Sequence, residues 1–374
     1  MTIRTAWAAI AAMFILNGAL FGIWASRVPA VAEQFGLSHT QLGLLLLALA
    51  AGAVCSFPFA GKAVDRFGAA KITWIIALLY PLTLVALPLA PNFGLLGAAL
   101  FFFGAAHGAM DVAMNSWGAE VERHFKHRMM SSFHAMFSLG AGIGALSGYI
   151  AVQTGVGLFA HFLVSSALIT AATLFLANIP WDSKIAEHQD GTLFAFPTGP
   201  LVMVGLVAFC ASLGEGAMAD WSAVYLRDIV QTAESTAALG YAVFSIAMVV
   251  VRLLGDRIAM HFGTVTAGRL GGCFAFVGIL FVVLLPTLPT VLIGFAMLGT
   301  GYAVIMPLAF SRAANDPDIP AGQAISSVAT LGYGGMLLGP PVIGFLAGVS
   351  NLQVAFGLLA LLAVLIVGAA SSLR

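Results

Sequence analysis

Residues 40–71 read TQLGLLLLALAAGAVCSFPFAGKAVDRFGAAK. From Thr40 to Ala60 there is no Asp, Glu, Lys or Arg, and the run matches the ~20 residues a helix needs to cross a hydrocarbon core of about 30 Å. A backbone that leaves water must satisfy its N–H and C=O groups within itself, so the run is expected as a helix. Gly61, Lys62, Asp65, Arg66, Gly68 and Lys71 follow at once as a charged loop punctuated by glycine. Working outward, twelve such runs cover the chain: roughly 6–26, 40–60, 72–90, 93–116, 129–151, 157–179, 200–222, 236–254, 267–286, 290–310, 323–346 and 351–371. The sizeable polar interruption, Trp181 to Phe196, carries Asp182, Lys184, Glu187, His188 and Asp190. The expected architecture is an all-α membrane protein of two six-helix bundles, residues 1–180 and 199–374, joined by a cytoplasmic linker at 181–198.

Composition agrees. Of 374 residues 61% are hydrophobic and 8% charged, against about 25% charged in soluble domains, too few to cover a water-exposed surface. Zero net charge and scattered basic residues exclude a nucleic-acid partner. Cys55, Cys210 and Cys273 lie far apart inside apolar runs, so they read as packing residues without a disulfide or metal framework. Positively charged loops stay in the cytoplasm. With the N-terminus inside, all of the 15 Lys and Arg except Arg27 and Arg227 fall on cytoplasmic ends, Arg252 being counted there with Lys62, Arg66 and Arg257. Both termini are therefore expected in the cytoplasm, and the first run, a full span long with no convincing cleavage site, is expected as a permanent helix.

The halves echo each other weakly. Gly61-Lys62-Ala63-Val64-Asp65-Arg66-Phe67-Gly68 follows the second span, and Gly255-Asp256-Arg257 with Phe262-Gly263 follows the eighth. Gly148-Tyr149-Ile150-Ala151 and Gly344-Phe345-Leu346-Ala347 stand 196 residues apart. A G-x-x-x-D-R-x-G-x-x-K loop between the second and third of twelve helices resembles the signature of the major facilitator superfamily. Further strings resemble its YbjJ-like bacterial branch near the fucose permease group: Trp24 to Ala30, Asp111 with Asn115 and Gly118 to Arg123, Glu215-Gly216-Ala217 with Asp220-Trp221, and Gly339-Pro340-Pro341. The resemblance implies a secondary transporter with a central site between its halves. It also implies that Gly61, Asp65, Arg66 and Gly68 form a conformational latch, partly copied at Asp256 and Arg257. An Asp at a helix boundary can accept N–H groups from a neighbouring helix start and pair with Arg; the plainer reading is that these charges fix topology.

In the fourth span His107, Asp111 and Asn115 recur every four residues and share one helical face. An acid within a membrane span costs about 2.5–3.5 kcal/mol to insert, which makes Asp111 the principal proton-site candidate; the alternative is a permanent ionic brace. The resemblance adds that Gly108-Ala109-Met110-Asp111 matches a segment bearing a proton-accepting carboxylate. A second such acid, expected before the proline of the first span, is absent: Val28 precedes Pro29, with Arg27 beside it. His134 sits at a depth similar to Asp111 and is a candidate partner or a packing residue. Glu215, flanked by Gly214 and Gly216, is the second candidate, with local unwinding expected around it. Asp220, nearer the interface, is expected to bind or to pair with Arg27 or Arg227 as an external gate. Asn17 reads as a solute hydrogen-bond donor or as packing glue. The glycines of the fifth and eleventh spans read as packing and hinge features, and Pro340-Pro341 is expected to kink or break its helix.

No nucleotide cradle, HExxH or nucleophile triad is present in sequence, so neither an enzyme nor a cofactor or metal is expected. The expected function is proton-coupled symport of a small polar organic solute by a monomer in the inner membrane. The alternatives are proton-antiport efflux, for which the fifth span lacks a G-P pair and the fourth a basic residue, and a non-transporting sensor or scaffold.

Overall fold

The computed structural model describes residues 2–126, 129–183, 196–319 and 321–374, except the side chains of Ser131, Asp256, Ala314, Ala321, Gly322, Gln323 and Ser326. Most of the expected linker, 184–195, lies outside these residues, as does Arg128. The helices are α1 (Ile3–Gln34), α2 (His39–Phe67), α3 (Ala69–Ala86), α4 (Phe93–Phe125), α5 (Met130–Gln153), α6 (Leu158–Ala177), α7 (Leu201–Asp228), α8 (Glu234–Ala237), α9 (Leu239–Phe262), α10 (Thr264–Leu284), α11 (Leu288–Ala303), α12 (Ile305–Ala314), α13 (Ala321–Val349) and α14 (Leu352–Ala369). Among the described residues twelve helices are long and apolar enough to cross a membrane, α8 with α9 and α11 with α12 each making one span. Their outer surfaces are apolar: Phe59, Leu168 and Val349 are exposed, and Phe175 is 82% exposed. A soluble protein rarely leaves such surface in water, whereas lipid tails cover it without cost. Cys55 and Cys273 belong to this exposed surface, and only Cys210 is buried, which corrects the expectation of three packing cysteines.

The chain forms two compact units, Met1–Gly36 with Leu45–Gly191, and Leu37–Leu44 with Thr192–Arg374. In the first unit α1 packs on α5 and α6, and α3 on α4. Helices in lipid gain little from hydrophobicity, so close backbone approach between small residues holds them. A methyl on Gly18 or Gly22 would fall on the backbone of Phe137 or Ala141, and one on Gly140 or Gly144 on Ile15 or Ala19. The second unit repeats this between α7 and α13, where Gly216 meets Met336, Gly335 meets Phe209 and Gly339 meets Leu213. A bulky side chain at such a contact forces the helices apart, so Gly144→Leu is expected to destabilise the first unit by more than the usual overpacking cost of about 1–3 kcal/mol. Gly157→Ala, at a φ of −62° facing open space, is expected to be neutral. Gel filtration of the solubilised variants reads the difference, and a monodisperse Gly144→Leu protein of wild-type thermal midpoint would refute it.

Two glycines mark the repeat more sharply than the charges do. Gly68 (φ +88°) starts α3 and Gly263 (φ +77°) starts α10, each after a Phe that ends the preceding helix. Both occupy a region that side chains other than glycine rarely adopt, which permits a turn with almost no loop. The expected break at Pro340-Pro341 does not occur. Helix α13 runs through both, with the Trp221 Nε1–H donating to Pro340 O at 2.8 Å.

Candidate functional site

In the first unit the face of α4 bearing His107, Asp111 and Asn115 is turned inward. The His107 ring lies 4.9 Å from Phe21 of α1 and 6.3 Å from Phe137 of α5, and its Nδ1 is 3.0 Å from the hydroxyl of Tyr80 on α3. One turn on, Asn115 Nδ2 donates to the Asp111 backbone oxygen (2.8 Å) and to Asp111 Oδ1 (3.1 Å). The i, i+4 spacing makes that bond possible, and it leaves Asp111 half-buried as a hydrogen-bonded acid inside a span. His134 packs edge-on against Phe14 at 5.3 Å, and its backbone oxygen accepts from Ser138. Asn17, on the same helix as Phe14 and Phe21, is fully buried, and among the described residues neither atom of its amide has a partner. Buried polar groups are nearly always bonded, and leaving one unpaired costs about 1–3 kcal/mol.

In the second unit Glu215 of α7 meets Arg252 of α9, Nη2 lying 3.2 Å from Oε2 and 3.4 Å from Oε1. The side chains are only 12% and 9% exposed. Arg252 is therefore a buried ion-pair partner and not the loop charge that the topology count made of it. Apolar neighbours along α9, Val249 and Val250, gave no sign in sequence of the acid across the helix pair. The Tyr241 hydroxyl lies near Ser245 and within electrostatic reach of Glu215. Nor does α7 unwind at Gly214 and Gly216: it is continuous, and the two glycines make room for the Tyr302 ring and the Met336 backbone. Among the described residues the buried Tyr302 hydroxyl has no partner.

The expected gating residues are divided between the two units. Asp65 and Arg66 are exposed, and among the described residues Asp65 makes no ion pair or hydrogen bond, while Arg66 lies 5.2 Å from the Phe67 ring. The Ala70 N–H at the start of α3 donates to Ser183 Oγ at 3.0 Å, so a residue following α6, and not an acid, serves that N–H. Gly61 faces open space, Arg257 is exposed, and the Asp256 side chain lies outside the described residues. Arg27 and Asp220 are both buried. Arg227 bonds to its neighbour Asp228 (2.8 Å), whose other oxygen is 3.0 Å from His39 Nε2, a contact with no signature in sequence. At the end of α12, burial raises the Asp316 carboxyl. The Arg312 bond at 2.9 Å, the N–H groups of Asp318 and Ile319 and the Arg312 charge outweigh it and hold the group below the ordinary carboxylate range.

Comparison with known proteins agrees with this architecture. Residues 7–332 match the model of the Major Facilitator Superfamily. An uncharacterised transporter of Sinorhizobium fredii is 47% identical over 97% of this chain and 96% of its own length, and an uncharacterised MFS-type transporter of Yersinia pestis is 36% identical over 93% and 91%. Among solved structures, a mutant form of the nucleoside transporter NupG superposes with a TM-score of 0.76 at 12% identity, covering 98% of this chain and 99% of that one, a likeness of fold. Twelve spans, glycine-packed helix pairs and polar groups held inside them thus have one family in common: the chain belongs to the major facilitator superfamily and is a multi-pass membrane transporter.

Proposed function

We propose that the protein is a proton-coupled symporter of a small polar organic solute, a member of the YbjJ-like branch near the fucose permease group. It works by alternating access, as a monomer in the inner membrane, with both termini in the cytoplasm. The observation that carries this reading is Asp111, a half-buried acid inside a membrane-spanning helix, its carboxylate held by Asn115. A carboxyl that changes protonation as access alternates couples a proton to movement of the solute. The polar character of the solute is supported by Asn17, whose amide, unpaired among the described residues, has a donor and an acceptor to offer. Glu215, neutralised by Arg252, serves as a structural or solute-binding pair.

The test is a thermal-shift screen of sugars, nucleosides and amides on the purified protein, followed by uptake of the stabilising solutes into proteoliposomes with and without a proton gradient. Accumulation that collapses when the gradient is dissipated is expected. Flux indifferent to the gradient overturns proton coupling, and no flux of any solute points to the sensor or scaffold. Asn17→Leu removes an unpaired buried amide, so it is expected to raise thermal stability by about 1 kcal/mol or more while uptake falls at least about tenfold. A variant that is both less stable and fully active would show that Asn17 is packing glue.

A further inference from the structure

Tyr80 takes no part in the reading above, yet its environment decides the state of His107. The Tyr80 side chain is fully buried, near the rings of Phe103 (5.2 Å) and His107, and among the described residues its hydroxyl has one hydrogen-bond partner, His107 Nδ1 at 3.0 Å. One proton lies between the two atoms, and its ownership follows from counting donors. If Nδ1 carried it, the imidazole would donate to the phenol oxygen, and the phenol's own proton would be buried with no acceptor. If Tyr80 donates, the phenol and Nδ1 satisfy each other, and the ring's one N–H is Nε2–H on the side of His107 that stays partly exposed. The cost of an unsatisfied buried donor corresponds to a preference of about tenfold or more for the second arrangement. A doubly protonated ring has the same unsatisfied phenol and in addition sets a charge against the Phe21 and Phe137 rings.

We propose that Tyr80 is the positioning residue that holds His107 as a neutral imidazole with its proton on Nε2, so that His107 serves as a hydrogen-bond donor to the solute and not as a proton carrier. Nε2 has no partner among the described residues and, unlike Nδ1 of His161, is not sealed from solvent. It therefore presents one N–H to the interior of the first unit. The group it suits is an acceptor, a carbonyl or hydroxyl oxygen. The donor role rests on the proposed function; the tautomer does not.

The test is the two-bond proton–nitrogen correlation spectrum of protein labelled with 15N-histidine in nanodiscs at neutral pH without solute. The His107 signals are identified by their loss in His107→Gln. A bare Nδ1 and a protonated Nε2 are expected. In Tyr80→Phe the Nδ1 signal is expected to shift as its hydrogen bond is lost, with the Nδ1–H tautomer rising from below about one tenth to a comparable population. A wild-type ring protonated on Nδ1, or on both nitrogens, overturns the proposal, as does a spectrum that Tyr80→Phe leaves unchanged. Should Tyr80→Phe fail to fold, the wild-type spectrum alone still decides. Because no solute is present, failure of the uptake experiment refutes symport without touching the tautomer, and the wrong tautomer refutes this proposal without touching transport.

Discussion

In proteoliposomes carrying an inward proton gradient, Asp111→Asn is expected to abolish accumulation of the solute while leaving downhill exchange measurable. One proton crossing 100 mV supplies about 2.3 kcal/mol, enough for roughly 50-fold accumulation of a neutral solute; the variant is expected to equilibrate it near onefold. The substitution isolates titration from packing. Asparagine has the shape of aspartate, the backbone oxygen that accepts from Asn115 at 2.8 Å is untouched, and an amide oxygen can replace Oδ1 as the second acceptor. What is lost is the ability to gain and lose a proton. Counterflow, in which labelled solute exchanges against unlabelled solute, serves as the control for a folded and cycling protein. Gradient-driven accumulation at the wild-type level by Asp111→Asn would move the proton site elsewhere.

The largest stability effect is expected at Arg252. Removing one member of a buried ion pair leaves the other charge without its counterion, which costs about 3–5 kcal/mol, whereas replacing both by neutral groups of similar volume is often neutral. Arg252→Ala is thus expected to lower the thermal midpoint of the purified protein sharply, and Glu215→Gln with Arg252→Met to recover most of the loss. The pair is tested by the double-mutant cycle, because two charges this little exposed are poorly screened. Additive effects of the two substitutions would show that the pair holds nothing. The same double variant distinguishes roles for Glu215. Retained gradient-driven uptake would confine it to structure, and loss of uptake in a stable double variant would make it a solute contact.

Spans were the most legible part of the chain. An apolar stretch of about 20 residues has one solution in lipid, and its position is written locally. Helix ends were less legible: α1 continues past Pro29 to Gln34 and α4 to Phe125, because a helix need not stop where the hydrocarbon does. Candidate acids were legible for the same reason as the spans, since a charge inside an apolar run stands out. Their partners were not. Arg252 looked like a boundary charge, and nothing in the local run set Tyr80 apart from its neighbours. Gly214 and Gly216 looked like points of unwinding, because glycine is compatible both with a broken helix and with a crowded one, and only the neighbour decides.

By itself the sequence determined twelve membrane-crossing helices and the acids inside them, because both follow from what a short stretch of chain costs to put in lipid. The tertiary structure alone decided that Arg252 neutralises Glu215, that Tyr80 faces His107, that Asn17 is buried with no partner among the described residues and that Ser183 rather than an acid serves the start of α3. Those facts depend on which face of one helix meets which face of another, across separations of up to 113 residues. In lipid that choice is made by close packing of small residues such as Gly18, Gly22, Gly140 and Gly144, whose contacts carry no mark in the local run of either helix.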